Sequence, residues 1–191
     1  SEDHTLQDVE DVIGSNFDDT IIGNSDDNTI QGGGGDDFIQ GNAGNDVIDG
    51  GTGTNTVSYK DASSGVNVNL KSGSSSGGDG NDTLTNIDNV SGSGFGDNIS
   101  GTAGTNVIYG GGGADTIYGN EGDDEIYGEA GDDILYGGSS DAVSGTSDDG
   151  NDTIYGGDDN DTIYGGNNNS GGGDGNDNSD GGSDVIEGGG G

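Results

Sequence analysis

An aliphatic residue returns every nine positions along most of this chain. Ile21, Ile30, Ile39, Ile48 and Val57 form one series, Ile99, Ile108, Ile117, Ile126 and Leu135 a second, and Ile154 with Ile163 a third. Two places before each of them stands Asp or Asn, and five places before that polar residue stands a glycine, except in the unit interrupted by residues 139–149, which starts at Gly137 and Gly138. One extra unit, GGDGNDTLT, runs from Gly77 to Thr85 between the first two series. A period this short has no room for a helical hairpin, so each unit must be one edge of a stacked coil.

Within a unit such as GNEGDDEIY (Gly119–Tyr127) only the last three residues have strand character. Neighbours along a strand point to opposite faces, so the aliphatic column turns inward and its flanking residues turn outward. The spacing predicts an all-β solenoid with a thin core of one aliphatic side chain per unit. One such side chain cannot offset the conformational entropy of nine ordered residues.

Composition makes the shortfall worse. Only 24% of the 191 residues are hydrophobic, 47 are glycine, and 38 acidic against two basic residues leave a net charge of −36. Such a polyanion stays unfolded unless something neutralises its carboxylates, and the simplest candidate is a bound cation. With only Lys60 and Lys71 there is nothing to grip a phosphate backbone or an anionic membrane surface, so nucleic acid and membrane insertion are not expected. No apolar run approaches the length that spans a bilayer, and the opening SEDHTLQDVE does not read as a secretion signal. Cysteine is absent, which fits a reducing compartment or an extracellular protein held together by something other than disulfides.

The six remaining residues of each unit suggest which cation. Glycine permits positive φ and a close backbone approach, and Asp offers a hard anionic oxygen. Turns that aim carbonyl oxygens beside a carboxylate meet the six to eight oxygen ligands that Ca²⁺ takes at flexible geometry. A single His and no Cys argue against zinc or copper.

The units GGGGDDFIQ (Gly32–Gln40), GNAGNDVID (Gly41–Asp49), GGGGADTIY (Gly110–Tyr118) and GNEGDDEIY resemble the G-G-x-G-x-D-x-U-x nonapeptide of the RTX (repeats-in-toxin) family, and about a dozen units match. The resemblance implies a right-handed parallel β-roll in which two nonapeptides make a coil and Ca²⁺ sits between turns of successive coils, about one ion per repeat. It implies side-chain ligation by the sixth-position residue: Asp19, Asp37, Asp46, Asp82, Asp97, Asp115, Asp124, Asp133, Asp152, Asp161 and, in a degenerate final unit, Asp184. Asn28, Asn55 and Asn106 put a neutral amide there and are expected to make weaker sites. First- and third-position carbonyls would complete the cages: Gly32, Gly34, Gly41, Ala43, Gly110, Gly112, Gly119, Glu121, Gly128 and Ala130. Asp26 and Asp159 replace the fourth-position glycine, where they would strain the turn or add a ligand.

A longer repeat is superimposed, since LQDVEDVIGSNFDDTIIG from Leu6 matches LTNIDNVSGSGFGDNISG from Leu84, 78 residues on. The chain therefore divides into a lead-in (1–13), a first repeat block (14–58), an excursion with one repeat and a second lead-in (59–91), a second block (92–136) and an interrupted, degenerate end (137–191). Phe17 and Phe95, at the fourth position of the opening units, are expected to pack under the lead-ins and cover the first coils. Residues 59–76 read as a bulge that rejoins the roll, with Val66, Val68 and Leu70 alternating like a strand with one buried face. A partner loop is the other reading.

Tyrosines at the ninth position (Tyr109, Tyr118, Tyr127, Tyr136, Tyr155, Tyr164) form outward ladders that would either stack on a sugar or fibre or stiffen the roll. The segment 176–187 also resembles an EF-hand loop, but its first residue is Asn and no helix can follow in GGGG. The carboxylates recur identically a dozen times, whereas a catalytic pair would be unique, so an enzyme is not expected. The expected function is a Ca²⁺-dependent structural or interaction segment of an extracellular bacterial protein. It would fold on meeting Ca²⁺ outside the cell and assemble end to end into an adhesin, surface layer or filament. The alternatives are an accessory module of a secreted enzyme that binds polysaccharide, and an ice-binding module, against which the irregular third-position column argues.

Overall fold

The computed structural model describes residues 3–5, 11–139, 150–165 and 185–187. Every described element is a strand of three to six residues, and outside residues 66–85, whose three strands share one sheet, the strands fall alternately into two sheets. The first sheet stacks β1 (Asp3–Thr5), β3 (Thr20–Ile22), β5 (Phe38–Gln40), β7 (Thr56–Ser58), β11 (Asn89–Ser91), β13 (Val107–Gly112), β15 (Glu125–Ala130), β17 (Thr153–Asp158) and β19 (Val185–Glu187). The second runs β2 (Asp11–Ile13), β4 (Thr29–Gln31), β6 (Val47–Asp49), β10 (Thr83–Thr85), β9 (Ser74–Gly77), β8 (Val66–Asn69), β12 (Asn98–Ser100), β14 (Thr116–Tyr118), β16 (Ile134–Tyr136) and β18 (Thr162–Tyr164). The architecture is a parallel β-roll, with two nonapeptides per coil.

The in-register columns explain why the sequence repeats as it does. Ile21, Ile39 and Val57 pair in succession along the first sheet, as do Val90, Ile108, Ile126 and Ile154; Val12, Ile30 and Ile48 do so along the second. These side chains are almost wholly shielded, and with their counterparts in the rest of both sheets they form one continuous core. The residues on either side of each lie outward, as the two-residue period requires.

Residues 59–76 differ from expectation. They are not a bulge outside the roll: β8 and β9 form an antiparallel hairpin inserted into the second sheet, where β8 pairs parallel with β12 and β9 antiparallel with β10. Opposite, β11 alone bridges β7 and β13. Val66, Val68 and Leu70 are buried as their alternation suggested, joined by Tyr59, Ala62 and Ile87. The insertion also changes phase. Lead-in strand β2 lies in the second sheet and its counterpart β11, 78 residues later, in the first, so the same cassette starts on opposite faces.

Phe17 and Phe95 do not cover the first coils; they are 73% and 48% exposed. Covering is unnecessary, because the position-4 amide of each unit is already held by the hydroxyl of Ser15 or Ser93 (3.2 and 3.1 Å). The tyrosines stack ring on ring in two ladders, Tyr109–Tyr127–Tyr155 on the first sheet and Tyr118–Tyr136–Tyr164 on the second, with centroids 4.7–4.9 Å apart. The ring faces that would lie on a sugar are turned to one another.

Candidate metal centres

At the turns, the sixth-position side chain of one coil is tied to the coil before it. One carboxylate oxygen accepts the sixth-position amide 18 residues upstream: Asp37 from Asp19, Asp46 from Asn28, Asp115 from Asp97, Asp124 from Asn106 and Asp133 from Asp115, at 2.7–2.9 Å. Across the interrupted unit the offset grows to 28 residues and the pattern persists, with Asp152 accepting from Asp124 and Asp161 from Asp133. This fixes each carboxylate's orientation and aims its second oxygen into the turn.

What that second oxygen meets divides the units into two classes. In the first coil of each block the position-2 amide folds back onto it. Ser15 N–H donates to Asp19 (2.6 Å), Asn24 to Asn28 (3.0 Å), Ser93 to Asp97 (2.6 Å) and Thr102 to Asn106 (2.7 Å). In the coils that follow, position 2 adopts positive φ, at Gly33, Asn42, Gly51, Gly111, Asn120, Glu129 and Gly157, and so does position 4, from Gly35 through Asp159. The position-2 peptide is then turned away. As a result Oδ2 of Asp37, Asp46, Asp115, Asp124, Asp133 and Asp161 is buried with no hydrogen-bond donor. A buried, undonated carboxylate oxygen is costly.

In front of four of these oxygens, on Asp37, Asp115, Asp124 and Asp133, lies a carbonyl of the next coil. A methyl group built on Gly32 would come within 2.3 Å of Asp37 Oδ2 and 2.5 Å of the Gly50 carbonyl oxygen. The same pair of contacts recurs at Gly110 (Asp115 and Gly128), Gly119 (Asp124 and Gly137), Gly128 (Asp133 and Gly156) and Gly137 (Asp152 and Gly165). Glycine at position 1 is what leaves this cradle empty of side chain. Among the described residues no three carboxylates or imidazoles converge on one point, so a cation here would be held by one carboxylate per coil together with main-chain carbonyls. That donor set suits Ca²⁺.

Burial pushes these carboxyls upward: Asp115 and Asp124 to about 8, Asp46 to about 7, Asp133 to about 6, with Asp37 also raised. In each case desolvation is the largest cause, opposed by the accepted amide and reinforced by neighbouring carboxylates of the same column. At neutral pH the metal-free Asp115 and Asp124 carboxyls are thus held largely in the protonated form, which does not ligate a cation.

The residue-by-residue expectation is refined accordingly. Asp37, Asp46, Asp115, Asp124, Asp133 and Asp161 have the open geometry, and Asp152 takes the same position. Asp19 and Asp97 are closed by their position-2 amides. Asp82 is closed differently, by the hydroxyls of Ser75 (2.7 Å) and Tyr59 (3.1 Å) from the inserted hairpin. The three asparagines carry their own donor: Asn28 Nδ2 donates to Asn24 Oδ1 (3.2 Å), Asn55 Nδ2 to the Asn86 carbonyl (3.1 Å) and Asn106 Nδ2 to the Asp88 carbonyl (2.6 Å).

First-position carbonyls of Gly32, Gly41, Gly110, Gly119 and Gly128 all point at the cradle of the preceding coil. Third-position residues Gly34, Ala43, Gly112, Glu121 and Ala130 lie on the same turns, and the Ala130 carbonyl already accepts the Gly113 amide (2.7 Å). Asp26 keeps negative φ and is unstrained, whereas Asp159 sits at φ 76°. Asp184 and most of the EF-hand-like segment lie outside the described residues, as do residues 140–149.

Comparison with known proteins agrees with this geometry. The family model for the RTX calcium-binding nonapeptide repeat matches residues 8–38, 22–57, 76–85, 91–125, 112–141 and 146–170, well over half of the chain. The chain belongs to the RTX calcium-binding repeat family. It is therefore a calcium-binding repeat module, and the matched residues take in closed and open turns alike. No curated protein matches the chain. Sequence reasoning located the sixth-position column but missed the closed class. The available signal was Ser or Thr at position 2 in units 14–22, 92–100 and 101–109; Asn is ambiguous there, closed at Asn24 and open at Asn42 and Asn120.

Proposed function

We propose that this module is a Ca²⁺-switched structural segment of an extracellular bacterial protein, folding when the open turns are filled and then extending end to end. The observation that carries the proposal is the set of buried Oδ2 atoms without donors, four of them facing a carbonyl of the next coil. Asp37, Asp46, Asp115, Asp124, Asp133, Asp152 and Asp161 would hold the ions through their side chains, with position-1 carbonyls opposite Asp37, Asp115, Asp124, Asp133 and Asp152. Asp19, Asp82, Asp97 and the asparagines would hold none. When bound, the cation supplies the positive charge and the remaining coordination that each buried carboxylate lacks, so its binding energy becomes folding energy. Without the ions the net charge of −36 opposes collapse, and with fewer ions than repeats the filled roll stays anionic and soluble.

End-to-end extension is supported by the outermost described strands, β18 and β2 in the second sheet and β1 and β19 in the first, which pair on one side only among the described residues. Unpaired strands of this kind template further pairing. The test is a Ca²⁺ titration followed by far-UV circular dichroism and light scattering, with Mg²⁺ as control. A coil-to-β transition specific to Ca²⁺, with scattering that rises alongside it, is expected. A transition without scattering would favour a monomeric accessory module, and a chain already β-rich in chelator would overturn the switch.

A further inference from the structure

The Asp46 turn is unlike the open turns of Asp37, Asp115, Asp124 and Asp133. At Gly41 the three atoms nearest a built methyl group all belong to Asp46 (2.1 Å to Oδ2, then 3.0 and 3.4 Å), whereas at Gly32, Gly110, Gly119 and Gly128 a next-coil carbonyl oxygen lies within 2.4–2.8 Å. The reason is the inserted hairpin. The unit stacked on residues 41–49 is Gly77–Thr85, and its position-1 carbonyl, on Gly77, is turned aside to accept the Gly80 amide (3.0 Å). Asp46 therefore has an undonated carboxylate oxygen and no carbonyl roof.

The same stacked turn brings in a second carboxylate, and a buried one. Asp79 stands at position 3, where the other units carry uncharged residues or an exposed acid, Glu121 in unit 119–127 and Asp158 in unit 156–164. Its backbone carbonyl accepts the Gly44 amide (3.0 Å), which places it over the turn that leads to Asp46. Asp79 is 7% exposed, and its Oδ2 is buried without a donor. Neighbouring Asp82 is satisfied by Ser75, Tyr59 and the Asp46 amide. Two undonated buried carboxylate oxygens are thus left on facing turns, with no Lys or Arg to pair them, since the Lys60 ammonium is engaged with Asp61.

The geometry points to a non-repeat Ca²⁺ site shared by Asp46 and Asp79, in which the Asp79 carboxylate replaces the missing position-1 carbonyl. It rests on the calcium reading above. The ion at this site meets two carboxylates instead of one carboxylate and a carbonyl, so it binds more tightly than ions at the other open turns, because ligand charge raises Ca²⁺ affinity. It would also clamp the inserted hairpin to the first block.

The test counts Ca²⁺ per chain by native mass spectrometry and by equilibrium dialysis for the full chain, Asp46→Asn, Asp79→Asn and the double variant. Each single variant is expected to lose one ion, the tightest one, and the double variant to lose no more than either single. Asp158→Asn, the exposed position-3 aspartate of unit 156–164, serves as a control that keeps every ion. If Asp79→Asn fails to form the roll, Asp79→Lys is the second variant: its ammonium takes the cation's place, and a roll forms with one ion fewer. Asp79 variants that keep the full count and affinity, or a double variant that loses two ions, overturn the shared site. A parent chain that binds no Ca²⁺ overturns the calcium reading instead.

Discussion

The first coil of each block and the coils laid on it are written in the same nine-residue formula, yet they solve the turn differently. In residues 14–31 and 92–109 the position-2 amide caps the sixth-position side chain, with no positive φ at positions 2 or 4. In residues 32–58 and 110–136 both positions have positive φ, and the aspartate carboxylates are left open. One peptide orientation thus separates a carboxylate capped within its own turn from one whose second oxygen has no donor. On the function proposed above, the closed coils would form without metal and offer a paired edge on which open coils build, and the recurrence after 78 residues would supply two such starting points.

The largest effect expected from this division is on chelation. Removing Ca²⁺ should unfold the open coils while residues 14–31 and 92–109 retain the most amide protection, measured by hydrogen exchange. Uniform protection across both classes would break the comparison. Next comes the cradle itself. Gly110→Ala puts a methyl 2.3 Å from Asp115 Oδ2 and 2.8 Å from the Gly128 carbonyl; it is expected to cost more than about 3 kcal/mol with Ca²⁺ present and to lose one ion. Gly94→Ala, in a closed coil with no atom within 4 Å of the added methyl, is expected to change stability by less than about 0.5 kcal/mol. Equal losses at the two glycines would contradict the account.

A smaller effect concerns pH. The open carboxyls have folded pKa values raised to about 6–8 for Asp133, Asp46, Asp115 and Asp124 against an ordinary value of 3.8. Their contribution to the metal-free roll is therefore fully present below pH 3.8 and lost as pH rises through 6–8. In chelator, circular dichroism should show more β-structure at pH 4 than at pH 8, and saturating Ca²⁺ should reverse the order. Smaller again is the Tyr127 stack: Tyr127→Ala removes two ring contacts and is expected to cost about 1–3 kcal/mol in calorimetry. The smallest is a gain. Glu129 holds φ 72°, and Glu129→Gly is expected to stabilise by about 1 kcal/mol.

Much of the roll was legible because period nine with one inward aliphatic residue admits few packings, and the Ile21 and Ile30 columns follow from it directly. The sixth-position carboxylates were legible for the same reason. What was not legible depends on contacts far apart in sequence. Nothing local to GGDGNDTLT shows that Tyr59 and Ser75 will close Asp82, or that Gly77 will turn its carbonyl away from Asp46. The exposure of Phe17 was missed because the amide it carries is satisfied by Ser15, two residues back, and not by a covering lead-in. The asparagines read as weak metal ligands from oxygen chemistry alone; in place, their Nδ2 groups act as the donor that the cation would otherwise replace.

The most direct test of the central claim is a crystal structure with Ca²⁺ and anomalous scattering measured at long wavelength. The account predicts peaks beside Asp37, Asp46, Asp115, Asp124, Asp133, Asp152 and Asp161, and none beside Asp19, Asn28, Asn55, Asp82, Asp97 or Asn106. Ions of equal occupancy in the closed coils, or open turns filled only by water, would contradict it.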